Sequence, residues 1–308
     1  MLNKYNFKKS NKYIIIVALI ALLYNINNIS FTNLVNEHAK KVIFTFWEPR
    51  IEIPGYIQLC LNTWKKFIPE YEIKILDYQN TKNYLGKELF SNIICKDMSL
   101  PQQADAIRVA ILNKYGGIWM DADTIILNGS FIKSLKNFEL AMIGDIKSKK
   151  QDIGFIYSSR NSCLLKTWLK EIIKNVLIYR QIIYNKRNNK SLNVFPKRLK
   201  KWNYLGNGII DKYLKNITNN SFYRIDRNKL IIFPERKFYK NSSINNIQKY
   251  KLFYFGKGEV QNVLNEAKDI ILLHNSWTPK KYKNMTKVEF LKQNILLSKL
   301  LTKLLEKK

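Results

Sequence analysis

The stretch QADAIRVAILNKYGGIWMDADTIIL, residues 103–127, joins a helix to a strand through two glycines. Ser99 is a good N-cap and Pro101 falls in the first turn, so a helix begins there and runs until Gly116 and Gly117 stop it. Ile118, Trp119 and Met120 then form an apolar strand that delivers Asp121-Ala122-Asp123. Residues two apart in an extended chain point the same way, so both carboxylates converge at the strand end. Thr124 to Leu127 resumes an apolar path. Two carboxylates so placed make a hard-oxygen site for Mg²⁺ or Mn²⁺, ions that complete their shell with water and substrate phosphates. A lone D-x-D is a weak signal. Here it gains weight because the preceding helix carries Asp105 and Arg108, three apart and therefore neighbours on one face.

Working outward, KVIFTFW at 41–47 reads as a buried strand bounded by Glu48 and Pro49. Pro54 to Phe67 follows with Ile57, Leu61 and Trp64 at helical spacing, and Tyr71 to Leu76 is a second strand ending at Asp77. Strand, helix, strand is the opening of a doubly wound α/β domain, whose ligand sits at the carboxyl ends of the strands. Residues 147–201 carry 15 Lys or Arg against Asp152 and Glu171, a basic insertion predicted helical around Ser162 to Tyr184 and loop-like around Asn185 to Asn193. Asp269 to Leu273 is a strand leading into His274-Asn275-Ser276-Trp277. Thr286 to Leu305 is a single basic amphipathic helix with Val288, Leu291, Ile295, Leu296 and Leu300 along one side, suited either to a membrane surface or to its own domain. The domain plan is thus 1–40 as a terminal segment and linker, 41–280 as the α/β domain with its insertion, and 281–308 as the terminal helix.

With 308 residues, 46% of them hydrophobic, the chain can bury a sizeable core. A formal charge of +30 implies an anionic partner: nucleic acid, a membrane surface or a phosphorylated substrate. The abundance of Lys, Asn and Ile resembles the composition of AT-rich genomes, which discounts that charge. Cys60, Cys95 and Cys163 are too scattered for a disulfide framework or thiolate zinc site, and His38 and His274 are the only histidines. Zinc enzymes and Ser-His-Asp hydrolases are poor readings. At the start, Lys4, Lys8, Lys9 and Lys12 precede an apolar run from Tyr13 to Tyr24, the order of a basic region followed by a hydrophobic one. That run is short for a span. The expectation is a membrane-associated protein with an uncleaved N-terminal anchor, a signal peptide and a buried helix being the alternatives, and the side of the membrane is left open.

The 103–127 string resembles glycosyltransferase family 32, the DXD sugar-transferase group that includes capsular polysaccharide synthesis proteins and yeast-type initiating mannosyltransferases. KVIFTFW, QLCLNTWKKFIPEYEIKILD at 58–77 and LLHNSW at 272–277 extend the resemblance, which brackets Lys41 to Lys280. Ala104 departs from it where relatives often carry Ser, and Trp119 stands where Tyr is frequent. GNGIID at Gly206 to Asp211 looks like a degraded form of the group's acceptor-side turn. The resemblance implies a GT-A-like, Rossmann-like nucleotide-sugar-binding domain that uses a UDP- or GDP-sugar, retains anomeric configuration and serves a glycan or lipid-linked acceptor in surface polysaccharide or glycoconjugate synthesis.

The same resemblance implies roles. Asp121 and Asp123 hold Mn²⁺ or Mg²⁺ on the donor diphosphate, Asp123 more directly, and His274 touches metal or phosphate. Asp105 and Arg108 contact the donor sugar and its phosphate, the guanidinium through a planar fork. Trp47 stacks on the nucleobase, while Asn275, Ser276 and Trp277 close over the pyrophosphate. Asp105, Arg108 and Asp123 are the candidate catalytic residues. No protein nucleophile is demanded if the acceptor attacks from the leaving-group face, and no catalytic base is nominated. Plainer roles stand beside these: Trp47 and Trp277 as core, His274 as a structural histidine, the basic segment as a solvated face.

Two rivals remain. DADTI at 121–125 loosely fits the nucleophile loop of haloacid-dehalogenase-like phosphatases, with Ile125 where a hydroxyl belongs and only Asp145 and Asp152 as a downstream acidic pair. A non-enzymatic nucleic-acid binder would explain the charge, yet no RNA-recognition or helix-turn-helix signature is present, and an acidic pair without metal repels phosphate. No nucleic-acid partner is expected.

Overall fold

The computed structural model describes residues 41–188, 201, 203–215 and 222–306. Among these residues eight strands build two sheets: β1 Val42–Phe46, β2 Glu72–Leu76, β3 Gly117–Met120, β4 Thr124–Ile126, β5 Leu140–Gly144, β6 Gln151–Ser158, β7 Phe222–Asp226 and β8 Ile270–Leu272. The larger sheet runs in the order β2-β1-β3-β6-β5-β7, and β4 pairs with β8 alone. β2, β1 and β3 are parallel neighbours, β6 lies antiparallel to both β3 and β5, and β7 returns parallel to β5. The opening strand-helix-strand unit is therefore as expected, and the sheet is mixed rather than all parallel. The basic 147–201 segment supplies that reversed strand before its long helix, Cys163–Arg187, begins.

Alternation along the strands divides the core into two layers. Ile43, Ile118 and Met120 face the Gly55–Phe67 helix and the C-terminal helices. Phe44, Trp119 and Ile156 face the Leu100–Tyr115 helix and the Cys163–Arg187 helix. The Leu100–Tyr115 helix is started by the capping box of Ser99 with Gln102 and ended by glycine. Gly116 and Gly117 take φ of 65° and 98°, and a Cβ on Gly116 would lie 2.7 Å from the Arg160 backbone nitrogen. No other residue turns this helix so sharply into β3 without strain.

Trp64 ties the first helix to the strand after the acidic turn. It is fully buried, its indole N–H donates to the Thr124 carbonyl at 2.7 Å, and the neighbouring Thr63 Oγ1 accepts from Ile126 N at 3.0 Å. Trp64→Ala is expected to cost about 3–5 kcal/mol and to lower the melting temperature by on the order of 10 °C. A drop of less than about 3 °C in a calorimetric scan would mean that Trp64 anchors nothing.

Two expectations are corrected. The 286–305 helix is two, Lys287–Leu291 and Leu296–Leu305, because Ile295 is extended at φ −125° and ψ 156°. Asn294 precedes the break, a residue that favours turns over helix interiors. The reorientation buries Leu296, Leu297, Leu300, Leu301 and Leu304 in the core, so this helix packs on its own domain. The expected membrane span is corrected as well: among the described residues no helix is long and apolar enough to cross a membrane. The run Tyr13 to Tyr24 on which it rested lies outside the described residues.

Candidate active site

The parallel strands end on one edge, and the acidic turn is built there by its neighbours. Asp121 N donates to the Gly154 carbonyl at 2.8 Å, and Thr124 N donates to the Asp121 carbonyl at 3.0 Å, which closes the turn. Across it, Leu273 N donates to the Asp123 carbonyl at 3.2 Å and Asn275 N to Asp123 Oδ2 at 2.7 Å. The LLHNSW segment is thereby stapled to the acidic pair.

Arg108 is the hub behind this turn. Its Nη2 lies 3.2 Å from Asp105 Oδ1 and 3.3 Å from Asp121 Oδ1, and its Nη1 donates to the Ile153 carbonyl. The guanidinium sits 5.2 Å from the Trp119 ring centroid, and the Trp119 indole N–H donates to Asp121 Oδ1 at 2.9 Å. Arg108 and Asp105 are both nearly inaccessible, at 5% and 3% exposure, whereas Asp121 is half-buried. Asp105 Oδ2 is buried without a hydrogen-bond partner. Against it stands Gly206, where a Cβ would come within 2.5 Å of both that oxygen and Ile153 Cδ1. The GNGIID turn thus lies at the site, and a side chain at 206 would have to displace Asp105 or Ile153.

The β6 strand opens to admit this arrangement. Met142 pairs with Ile156, yet the next residue, Ile143, pairs with Asp152, so Ile153, Gly154 and Phe155 are in excess over β5. Of the three, Phe155 keeps its place opposite Met120 of β3. Such bulges re-aim backbone beside functional sites. Here the bulge delivers the Ile153 carbonyl to Arg108 and the Gly154 carbonyl to Asp121.

Electrostatics marks the same residues. Burial, together with the charge of Asp121, pushes the Asp105 carboxyl up to about 7, with Arg108 opposing the shift. Asp123 is likewise pushed up to about 7, by burial first and then by Asp121, against the pull of the Asn275 amide. Two carboxylates crowded together at a desolvated turn are the donor set that a divalent cation relieves. Asp121 and Asp123 are the residues that could hold one, each with one oxygen already committed to the protein. Among the described residues no group of three or more His, Cys, Asp or Glu side chains stands ready to hold a metal ion.

The His274 ring has a cage of its own. Its ring stacks on Phe233 at 5.3 Å and lies against Trp277 at 3.8 Å, while Arg236 Nη2 approaches its Nε2 at 3.3 Å. Asn275 has both its N–H and its Oδ1 engaged, the latter by the Tyr56 hydroxyl at 2.6 Å. Ser276 is exposed and Trp277 half-buried. Trp47 is half-buried at the carboxyl end of β1, packed against the core, with its backbone N–H donating to the Leu76 carbonyl at 2.9 Å. Sequence reading passed over Tyr56, Gly154 and Arg236. Gly154, an isolated glycine within an apolar strand, was the one signal that could have flagged the bulge. Asp145 and Asp152, the acids a phosphatase would need, bracket Arg227 at 2.9 and 3.5 Å instead.

A mixed α/β domain with its polar site at the carboxyl ends of its parallel strands is the class that fold and site define. Within that class the chain belongs to the family described as capsular polysaccharide synthesis protein, whose model matches residues 3–266. The comparison with curated proteins returns no match. Among solved structures, the chain is similar to the PaToxG glycosyltransferase at 16% identity and a TM-score of 0.33, over 66% of this chain and 79% of that one. It is similar to the glycosyltransferase GlyE of Streptococcus pneumoniae at 11% identity and a TM-score of 0.41, over 88% of this chain and 61% of that one. An active-site mutant of LgtC aligns at 11% identity and a TM-score of 0.38, over 79% of this chain and 92% of that one.

Proposed function

We propose that the protein is a metal-dependent, retaining glycosyltransferase that moves a sugar from a UDP- or GDP-sugar to a glycan or lipid-linked acceptor in polysaccharide synthesis. The observation that carries this reading is the meeting of Asp121 and Asp123 with the buried Asp105–Arg108 pair at one strand end, in a chain of a polysaccharide-synthesis family. Breaking a sugar–phosphate bond builds negative charge on the leaving diphosphate and positive charge on the ring. A bound Mn²⁺ or Mg²⁺ would supply the charge that offsets the first of these.

The chain's own residues do the rest. Arg108, fixed by three acceptors and an indole, presents a preorganised cation that needs no rearrangement when charge develops. Asp105 Oδ2 is unpartnered and covered by the Gly206 turn, so a hydroxyl of the donor sugar would reach it once that turn moves aside, and an acceptor otherwise left unpaired is costly enough to discriminate between sugars. Asn275 offers an anion its Nδ2, Ser276 its hydroxyl, and Trp47 an aromatic face to a base.

The test is thermal stabilisation of the full chain by a panel of UDP- and GDP-sugars, with and without Mn²⁺, since a ligand of the native state raises its melting point. A shift that requires nucleotide and metal together is expected. Shifts with neither base, or with simple phosphomonoesters instead, would sink the reading. Gly154→Ala places a Cβ 3.1 Å from Asp121 Oδ2, so Mn²⁺ affinity measured by calorimetry should fall about 10- to 100-fold, as for other changes just behind metal ligands. Unchanged affinity would show that Asp121 does not face the cation.

A further inference from the structure

Arg236 lies outside every stretch that carried the sequence reading, yet it reaches the site through His274. Its guanidinium is stacked 3.8 Å from the Phe233 ring centroid, the same ring that lies parallel to His274 at an interplanar angle of 12°. Arg236 Nη2 is 3.3 Å from His274 Nε2. A guanidinium carries only donors and keeps its proton in proteins, so in this contact Nε2 has to be the acceptor. A neutral imidazole that accepts through Nε2 bears its proton on Nδ1. Among the described residues Nδ1 has no hydrogen-bond partner, and it is not one of the buried unsatisfied atoms. Burial and the adjacent Arg236 charge also hold the imidazole's pKa down, to about 4.

We infer that Arg236 locks His274 as an Nδ1–H hydrogen-bond donor, so that His274 meets the leaving diphosphate as a donor and supplies no ligand to the metal. The first half stands on geometry alone. The second rests on the proposed transferase reading, and it follows from chemistry: a ligating nitrogen needs a free lone pair, and here one nitrogen is covered by a cation while the other holds the proton. The place is right for that role, because His274 immediately precedes Asn275, whose amide grips Asp123. Arg236 is a positioning residue in this scheme, acting through the ring.

His38 and His274 are the only histidines, so full-length His38→Ala protein labelled with ¹⁵N-histidine gives the signals of one ring. In the free protein, long-range ¹H–¹⁵N correlation should show a protonated, pyrrole-type Nδ1 and an unprotonated Nε2. A protonated Nε2 would overturn the lock. On adding Mg²⁺ with UDP or GDP, the Nδ1 proton should stay in place and shift, and in the Mn²⁺ complex no ¹⁵N coupling to the metal should appear in pulsed electron resonance. A measured coupling would make His274 a ligand and end the donor assignment. Binding of neither nucleotide would overturn the diphosphate role together with the transferase reading, while the free-protein spectrum still decides the lock. Arg236→Met should release the ring into a mixture of tautomers and weaken nucleotide binding about tenfold. A single, unchanged Nδ1–H form in that variant would assign the lock to the aromatic stack instead.

Discussion

Asp123→Asn is expected to fold, to melt no lower than the parent, and to lose metal-dependent donor binding. The carboxylate is raised to about 7 by burial and by Asp121, so its charged form is unfavourable in the native state. A neutral amide of the same shape removes that cost while its oxygen still accepts from Asn275 N, which holds Oδ2 at 2.7 Å. What the variant removes is the second negative charge at the turn. Turnover should fall by at least about 10²-fold, the scale for losing one electrostatic stabiliser of a transition state, and the Mn²⁺-dependent thermal shift should vanish. An active, Mn²⁺-responsive Asp123→Asn protein with normal melting would refute the metal site. A protein that melts well below the parent would show that the carboxylate holds the turn rather than a cation.

Arg108 is the second large effect, and its test must separate folding from chemistry. Arg108→Ala leaves the Asp105 carboxylate buried without its partner, which costs on the order of 3–5 kcal/mol, so loss of activity there is uninformative. Arg108→Lys keeps the charge but loses the fork, and a single ammonium cannot serve Asp105, Asp121 and the Ile153 carbonyl together. We expect it to fold with a melting temperature several degrees lower and with kcat/KM reduced about 10²-fold. The double variant Asp105→Asn with Arg108→Met removes both charges of the pair. It should regain much of the stability lost by Arg108→Met alone, because replacing a whole buried ion pair is far cheaper than breaking one, without regaining activity. Independent, additive losses would show that the two residues do not act as a pair.

The parts of this site that sequence reading reached are those specified locally. The Ser99 cap, the Gly116-Gly117 stop and the apolar strand leading to Asp121 each follow from the conformational limits of a few adjacent residues, and together they place the acidic pair. Asp105 and Arg108 came from helical spacing. What was not legible depends on pairings across distance: β6 entering the sheet reversed, its excess over β5, and Arg236 reaching a histidine far along the chain. Asn275 shows the same limit. The resemblance sets it over a pyrophosphate, but its N–H and Oδ1 are spent on Asp123 and Tyr56, a use that no local pattern could announce. The C-terminal helix was misread as continuous because its leucines keep helical spacing on both sides of the break at Ile295.

The surplus residues of β6 also act as an expansion joint. Strand register is normally transmitted rigidly from neighbour to neighbour across a sheet, so a slip at one border would drag every residue in line with it. At Ile153 to Phe155 the ladder to β5 is interrupted, while on the β3 side Phe155 still pairs with Met120 and the Gly154 carbonyl still accepts from Asp121 N. The half of the sheet made by β5 and β7 can therefore drift in sequence and length without moving Asp121 or the carbonyls that hold Arg108.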